Sequence, residues 1–280
     1  MKKYFVTSDI HGFFTIWMEA LINNGFDINN KDHILIVCGD IIDRGPEPKK
    51  VIDFLYDFPK DRKILIMGNH EELFEEMIYR GRIKQRDLHN GTFLTFVRLF
   101  YEQTLKNLCM DEYNLNKLSA YDYDALIELC EISSKIKSYE SSKLYYLIRE
   151  MTNYYETEHY VFVHGWIPLG IDEIGNKCYS EKWRFGGPDN WYLARWTNGM
   201  DANFNGFNIP DKTIVCGHYR TSYGNVRKKF PKLTEDEYKK IEFANNDNFK
   251  TFTNEGIIAI DACTVISKIV NVLVLNEDEL

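Results

Sequence analysis

The sequence predicts an α/β fold built around a mainly parallel sheet, and three observations carry that reading. Apolar, β-branched runs at residues 4–6 (YFV), 33–38 (HILIVC) and 63–67 (KILIM) have the composition of buried strands. Stretches with helical spacing separate them, so the order is β-α-β-α-β with right-handed crossovers. Each run then closes on a polar turn: Ser8-Asp9-Ile10-His11-Gly12, Gly39-Asp40-Ile41-Ile42-Asp43-Arg44-Gly45 and Gly68-Asn69-His70-Glu71. Parallel strands would carry all these groups to one edge of the sheet, where open α/β folds place their sites.

Residues 13–24 form the first predicted helix, with Phe14, Trp17, Met18 and Leu21 on one face and Asn24-Gly25 as the stop. Pro46 opens the second, which carries Val51, Ile52 and Leu55 and ends near Pro59. A third helix is expected over residues 71–79. Between about 81 and 157 apolar residues recur at helical intervals: Phe93, Phe96, Val97 and Phe100, then Leu126, Leu129 and Cys130, then Leu144, Leu147, Ile148 and Met151. This stretch reads as a helical insertion within a single domain that spans residues 1–280. Strand character returns at 159–163 (HYVFV), which closes on His164-Gly165, and at 213–216 (TIVC), which closes on Gly217-His218. Residues 167–211, rich in Gly, Asn, Trp and Tyr, read as long loops. Residues 256–260 run into Asp261 and, with 265–275, resemble a strand pair of a second sheet. Residues 276–280 read as an acidic, frayed tail.

The 280 residues suffice for a large core. A net charge of −8 argues against a protein that grips nucleic acid through sequence-independent phosphate contacts, which needs a basic face. The six cysteines (Cys38, Cys109, Cys130, Cys178, Cys216 and Cys263) show no CxxC pairing, and those in apolar runs read as small buried hydrophobes of a reduced compartment. The opening MKKYFVTSDIHG reaches Asp9 and His11 before a signal-like apolar stretch develops. No stretch approaches the roughly 18 apolar residues of a membrane span. A cytoplasmic protein with no membrane partner is the expectation.

Five strand-end turns offer Asp9, His11, Asp40, Asn69, His164 and His218. Carboxylate, imidazole and amide oxygen together suit divalent ions such as manganese, iron, zinc or cobalt. Six ligands exceed what one zinc with an open position needs, and match two ions that share a carboxylate. Asp40, between the two sets in sequence, is the natural bridge. Two such ions, roughly 3.5–4 Å apart, would hold a hydroxide as nucleophile for in-line attack on phosphorus. His70 is the candidate general acid, Asp43 its partner on the other ring nitrogen, keeping the imidazolium charged, and Arg44 the fork for phosphate oxygens. Arg195 is the candidate second arginine, with Arg184 or Arg220 as alternatives. His33 and His159 read as satisfied sheet residues, and residues 80–86 (RGRIKQR) as a solvated helix end. The aromatic stretch 183–196 reads mainly as packing, with a stacking platform for a nucleobase as its alternative.

Asp9-Ile10-His11-Gly12, the GDIIDRG run and GNHE resemble the signature blocks of the phosphoprotein-phosphatase branch of calcineurin-like metallophosphoesterases. That branch includes bacterial and phage-lambda-type serine/threonine phosphatases and symmetrical diadenosine tetraphosphate hydrolases. The resemblance implies two packed mixed β-sheets flanked by helices. It implies Asp9, His11 and Asp40 on one ion and Asp40, Asn69, His164 and His218 on the other, with manganese expected first and iron, zinc, cobalt or nickel as alternatives. It also implies His70 with Asp43 as the acid and Arg44 on phosphate. The chain departs from the family pattern at Val163-His164-Gly165-Trp166 (for VHAG), at Gly217-His218-Tyr219-Arg220 (for GHT) and at Ile260-Asp261-Ala262-Cys263 (for IDTG). No ligand is lost, and Tyr219 and Arg220 become candidates for the substrate rim. The expected substrate is a phosphomonoester, phosphoserine or phosphothreonine on a protein or peptide. The rivals are hydrolysis of diadenosine tetraphosphate or of another nucleotide or nucleic-acid end, a phosphodiesterase, and a non-catalytic metal-binding scaffold. Asp43 favours the protein-phosphatase branch, because diadenosine hydrolases tend to lack that acid.

Overall fold

The computed structural model describes residues 1–103, 127 and 130–280; Cys109, Leu126 and Leu129 lie outside them. Strands β1 (Lys3–Thr7), β2 (His33–Val37) and β3 (Lys63–Leu65) are parallel neighbours in one sheet. Helices α1 (Phe14–Asn23) and α2 (Pro48–Asp57) make the crossovers between them. After β3 come α3 (Asn69–Arg80), α4 (Gln85–His89) and α5 (Thr92–Phe100). The second sheet takes β4 (Tyr154–Glu156) and β5 (Tyr160–Val163), then, beyond a small ribbon of β6 (Gly170–Ile171) and β7 (Lys177–Cys178), β8 (Thr213–Cys216), β9 (Phe252–Asn254) and β10 (Ile257–Ala259). Its order is β4-β5-β8-β10-β9, with β5, β8 and β10 parallel and an antiparallel strand on each edge.

Strand periodicity explains the layering. Side chains alternate between faces, so each central strand serves two cores. Tyr4 and Val6 of β1, Ile34 and Ile36 of β2, Phe162 of β5 and Val215 of β8 meet in one cluster between the sheets. Their neighbours Phe5, Leu35 and Val37 point the other way, under Trp17 and Leu21 of α1, Val51 and Leu55 of α2 and Phe74 of α3. Val161, Val163, Ile214 and Cys216 do the same on the far side of the second sheet, against Trp166, Trp191 and Met200. Because both faces are covered, the strands read as continuous apolar runs. The result is two mixed sheets packed face to face and flanked by helices.

Several expectations change. Helix α2 begins at Pro48, not Pro46, because residues 44–47 are tied back as a loop: Gly45 N donates to His11 O at 2.7 Å and Glu47 N to Gly12 O at 2.8 Å. Helix α3 starts at Asn69, so Asn69 and His70 sit on its first turn. Within 81–157, Tyr154–Glu156 is a strand, paired with β5. Residues 167–211 hold two helices, Pro188–Arg195 with Pro at its start and Gly199–Phe204 capped by Asn198, whose Oδ1 accepts from Met200 N at 3.1 Å. Residues 265–275 do not extend the second sheet. A short helix, Thr264–Ser267, intervenes, and β11 (Leu273–Asn276) pairs antiparallel with β1 in the first. The tail is held too: Glu277 N donates to Lys2 O at 3.0 Å and His159 N to Leu280 O at 2.9 Å. Alternation shows that a strand is half buried, not which edge it joins. Among the described residues no helix is long and apolar enough to cross a membrane.

Phe162, fully buried between the sheets, is the point at which this layering is most exposed to test. Phe162→Ala should lower the unfolding free energy by about 3–5 kcal/mol, read as a shift in urea midpoint. An unchanged midpoint would refute the assignment of that layer as core.

Candidate metal and phosphate site

The parallel strands of both sheets end on the same side. Asp9 and His11 follow β1, Asp40 follows β2, Asn69 and His70 follow β3, His164 follows β5, His218 follows β8, and Asp261 follows β10. Six of these turn residues have left-handed backbone: Asp9 (φ 51°), His11 (49°), Asp40 (54°), Asp43 (71°), Arg44 (63°) and His218 (63°). Such conformations cost of order 1–3 kcal/mol each in non-glycine residues and persist only where surrounding bonds hold them. Here the turns brace one another. Asp9 N donates to Gly39 O (3.2 Å), His11 N to Asp40 O (2.9 Å) and Gly217 N to His164 O (2.7 Å). Gly217 sits where the two sheets' ends meet: a Cβ there would lie 2.2 Å from Asp9 Oδ2.

Two donor clusters share Asp40: His11, Asp40 and His70, and Asp40, His164 and His218. Asp40 Oδ1 lies 3.3 Å from His164 Nε2, and its Oδ2 lies 3.7 Å from His11 Nε2, so one oxygen faces each cluster. The outer ring nitrogens set the tautomers. His11 Nδ1 donates to Ile42 O (3.0 Å) and His164 Nδ1 to Cys38 O (2.8 Å), which leaves both Nε2 lone pairs pointing inward. His218 is bonded outward to the Trp196 backbone, so its Nδ1 points inward. Asn69 Oδ1 then lies 2.8 Å from His164 Nε2 and 2.9 Å from His218 Nδ1. Three acceptors aimed at one another, beside a carboxylate, are a donor set for a cation. Asp9 completes the group: its Oδ2 accepts from Ser8 Oγ and from His218 N (2.9 Å), and its Oδ1 lies 3.9 Å from His11 Nε2.

The electrostatics agree. Burial, and after it Asp261, pushes Asp9 well above the usual carboxylate range; burial, then Asp9, does the same to Asp40. Burial also raises Asp261 to about 6. It drops His11 and His164 well below the ordinary imidazole value and lowers His218 to about 4. Clustered buried acids and neutral imidazoles are groups whose charge divalent ions compensate, so the residues fit the metals that the sequence suggests.

Beside the clusters, His70 Nδ1 donates to Asp43 Oδ2 at 2.7 Å, as expected for an oriented acid. Arg44 lies across both imidazoles, with Nη1 2.8 Å from His11 Nε2 and Nη2 3.0 Å from His70 Nε2. One expectation is reversed. Asp43 does raise the proton affinity of His70, but burial outweighs it and Arg44 adds to the lowering, so the net shift is downward. A cleft of about 250 Å³ opens over His11 and Arg44, between His89 and Asn90 on one side and Cys263 and Val265 on the other.

The remaining candidate arginines are engaged elsewhere. Arg195 is buried, pairs with Glu72 of α3 and donates to Asn153 Oδ1 at 2.8 Å; its charge still reaches His164. Arg220 donates to Glu242 Oε2 through Nε (2.7 Å) and lies 4.9 Å from the centre of the Tyr219 ring, whose own nearest ring is Tyr223 at 5.2 Å. Arg184 pairs with Glu156 and stacks on Trp183. His33 is a satisfied sheet residue, with Asp27 N donating to its Nδ1 at 2.9 Å. Trp183 and Trp191 pack in the second core, whereas Trp196 reaches the site, 5.8 Å from His218 edge to face.

Sequence reasoning missed Glu71. Its carboxylate accepts from Asp40 N and Gly68 N (both 3.0 Å) through Oε2 and from Ile41 N (2.9 Å) through Oε1. Burial raises it to about 7 against these bonds. One side chain thus caps α3 and clamps the β2 turn to the β3 turn. The signal was the GNHE quartet itself, which puts an acid at the capping-box position.

A profile of the calcineurin-like phosphoesterases matches residues 2–219. Symmetrical bis(5'-nucleosyl)-tetraphosphatases of two Buchnera aphidicola subspecies, Acyrthosiphon pisum (strain 5A) and Schizaphis graminum (strain Sg), are 39% and 42% identical over 71 residues. That match spans 25% of this chain and 24% of theirs. Among solved structures, a cold-active protein tyrosine phosphatase superposes with a TM-score of 0.51 at 16% identity, over 99% of this chain and 75% of that one, a likeness of fold.

Glu71→Gln replaces one acceptor oxygen by an amide nitrogen, which donates and cannot accept from the backbone N–H groups. It should lower stability by about 1–3 kcal/mol in chemical denaturation and weaken metal uptake in titration. A variant as stable as the parent would show that the clamp contributes nothing.

Proposed function

The chain belongs to the calcineurin-like phosphoesterase family, and within it we propose a phosphatase for phosphomonoesters of alcohols, with phosphoserine and phosphothreonine on protein as the first substrate class. It is a metallophosphoesterase, a hydrolase. We assign Asp9, His11 and Asp40 to one divalent ion and Asp40, Asn69, His164 and His218 to the other, with manganese first. When bound, the ions would polarise the phosphoryl oxygens and lower the pKa of the attacking water.

The protein's own groups account for the rest. Arg44 carries the phosphate, its two guanidinium nitrogens being spaced for two phosphoryl oxygens. His70 holds its Nδ1–H on Asp43, which leaves Nε2 beside Arg44, 3.0 Å from its Nη2, as the nitrogen that would protonate the departing oxygen of a phosphate held there. The lowered proton affinity of His70 is countered when a phosphate dianion lies beside it on Arg44. Arg195, held by Glu72, reaches the site through its charge on His164 and not through a phosphate contact.

The bond between His70 and Asp43 carries the substrate assignment. A serine or threonine alkoxide is a strong base and leaves only when protonated, so a buried, oriented acid has a task there. A nucleoside polyphosphate leaves as a weak base and needs no such donor. A second reading, cleavage of dinucleoside polyphosphates, is supported by the names of the Buchnera relatives over their matched quarter.

The deciding experiment measures kcat/KM with Mn²⁺ on a phosphoserine peptide, p-nitrophenyl phosphate, its bis-ester and diadenosine tetraphosphate. The highest value is expected on the peptide. Preference for the dinucleotide would transfer the function to the second reading, and no turnover with any metal would leave a metal-binding scaffold. His70→Asn should lower kcat on the peptide by about 10²–10⁴-fold with metal content retained, and less on p-nitrophenyl phosphate. Equal losses on both would remove His70 as the acid.

A further inference from the structure

The turn between α4 and α5 reaches into the site by a route that the metal and phosphate chemistry does not use. Gly91, at φ 82°, lies flat against the Arg44 backbone: a Cβ there would come within 2.8 Å of Arg44 N and 3.2 Å of its Cα. This close approach delivers Thr92, the first residue of α5, to Asp43. The Thr92 hydroxyl donates to Asp43 Oδ2 at 2.7 Å, the same oxygen that accepts from His70 Nδ1 at 2.7 Å. Thr92 and Asp43 are both fully buried, and Asp43 Oδ1 is buried without a hydrogen-bond partner.

We infer that Thr92 is a positioning residue for the proton donor, acting through Asp43. A carboxylate whose two bonds fall on one oxygen, with the other buried and unpartnered, has no third contact to hold its rotation about Cβ–Cγ. Asp43 also stands on left-handed backbone, so its side-chain direction is not secured by regular secondary structure. Two donors from different elements, one on α3 and one on α5, fix that oxygen in space. With the hydroxyl gone, His70 alone would hold it, and rotation of the carboxylate would free the imidazole to turn from the leaving oxygen. The segment after α3 thereby contributes to the protonation step without touching substrate or metal.

The inference rests on His70 being the acid, and the test separates the two. Thr92→Val, Thr92→Ala and Thr92→Ser are compared with His70→Asn, all loaded with Mn²⁺, on the phosphoserine peptide and on p-nitrophenyl phosphate. Loss of the hydroxyl should lower kcat on the peptide about tenfold, leave KM and metal content unchanged, and alter kcat on p-nitrophenyl phosphate less than about twofold. Thr92→Ser should restore the peptide rate, and Thr92→Val in the His70→Asn background should cost nothing further. Equal loss on both substrates, or no recovery with serine, would make Thr92 structural only and overturn the inference. It is overturned as well if His70→Asn shows the leaving-group dependence and neither Thr92→Val nor Thr92→Ala does. If His70→Asn itself shows none, the acid assignment falls and the inference with it.

Discussion

Two sheets packed face to face, with every parallel strand ending on the same side, are the constraint on which the rest of this molecule depends. The layer of Tyr4, Val6, Ile34, Ile36, Phe162 and Val215 holds the sheets together and thereby brings turns from both to one seam. Gly217 at that seam admits no side chain, and Asp9 and His218 are bonded directly across it. Neither sheet alone supplies the donor set. The first brings Asp9, His11, Asp40 and Asn69, and the second brings His164 and His218.

Gathering those groups is expensive, and the surrounding bonds show how the cost is offset. Left-handed backbone at Asp9, His11, Asp40 and His218 turns successive side chains inward over a few residues, which an extended strand could not do. Backbone bonds between turns and the Glu71 clamp hold these conformations. Burial leaves the acids with raised proton affinity and the imidazoles neutral. Buried acids beside neutral imidazoles form a set whose charge multivalent cations would compensate.

The seam also separates jobs by side chain. Asp40 turns one oxygen to each cluster, Arg44 spans His11 and His70, and Asp43 bonds to the outer nitrogen of His70. Fold likeness does not decide between substrates, because phosphatases of different specificity share this architecture. His89 and Asn90, from the turn before α5, line the cleft together with Cys263 and Val265.

Much of this was legible in the residues. Strand runs closing on Asp, Asn or His declared both the parallel strands and the donor types, because a strand and the turn after it are local in sequence. The structure brings together all six residues read as ligands, and the pairing of His70 with Asp43. What depended on partners far along the chain was not legible. The side of β1 that β11 takes, the capture of Arg195 by Glu72 and of Arg220 by Glu242, and the contact of Thr92 with Asp43 all arise from packing. The sign of the shift at His70 belongs with them, since a neighbouring acid is visible in sequence but the depth of burial that outweighs it is not. Residue chemistry and local periodicity determined which groups could act; only the tertiary structure decided which were free to, because desolvation and competing partners exist only once the chain has folded.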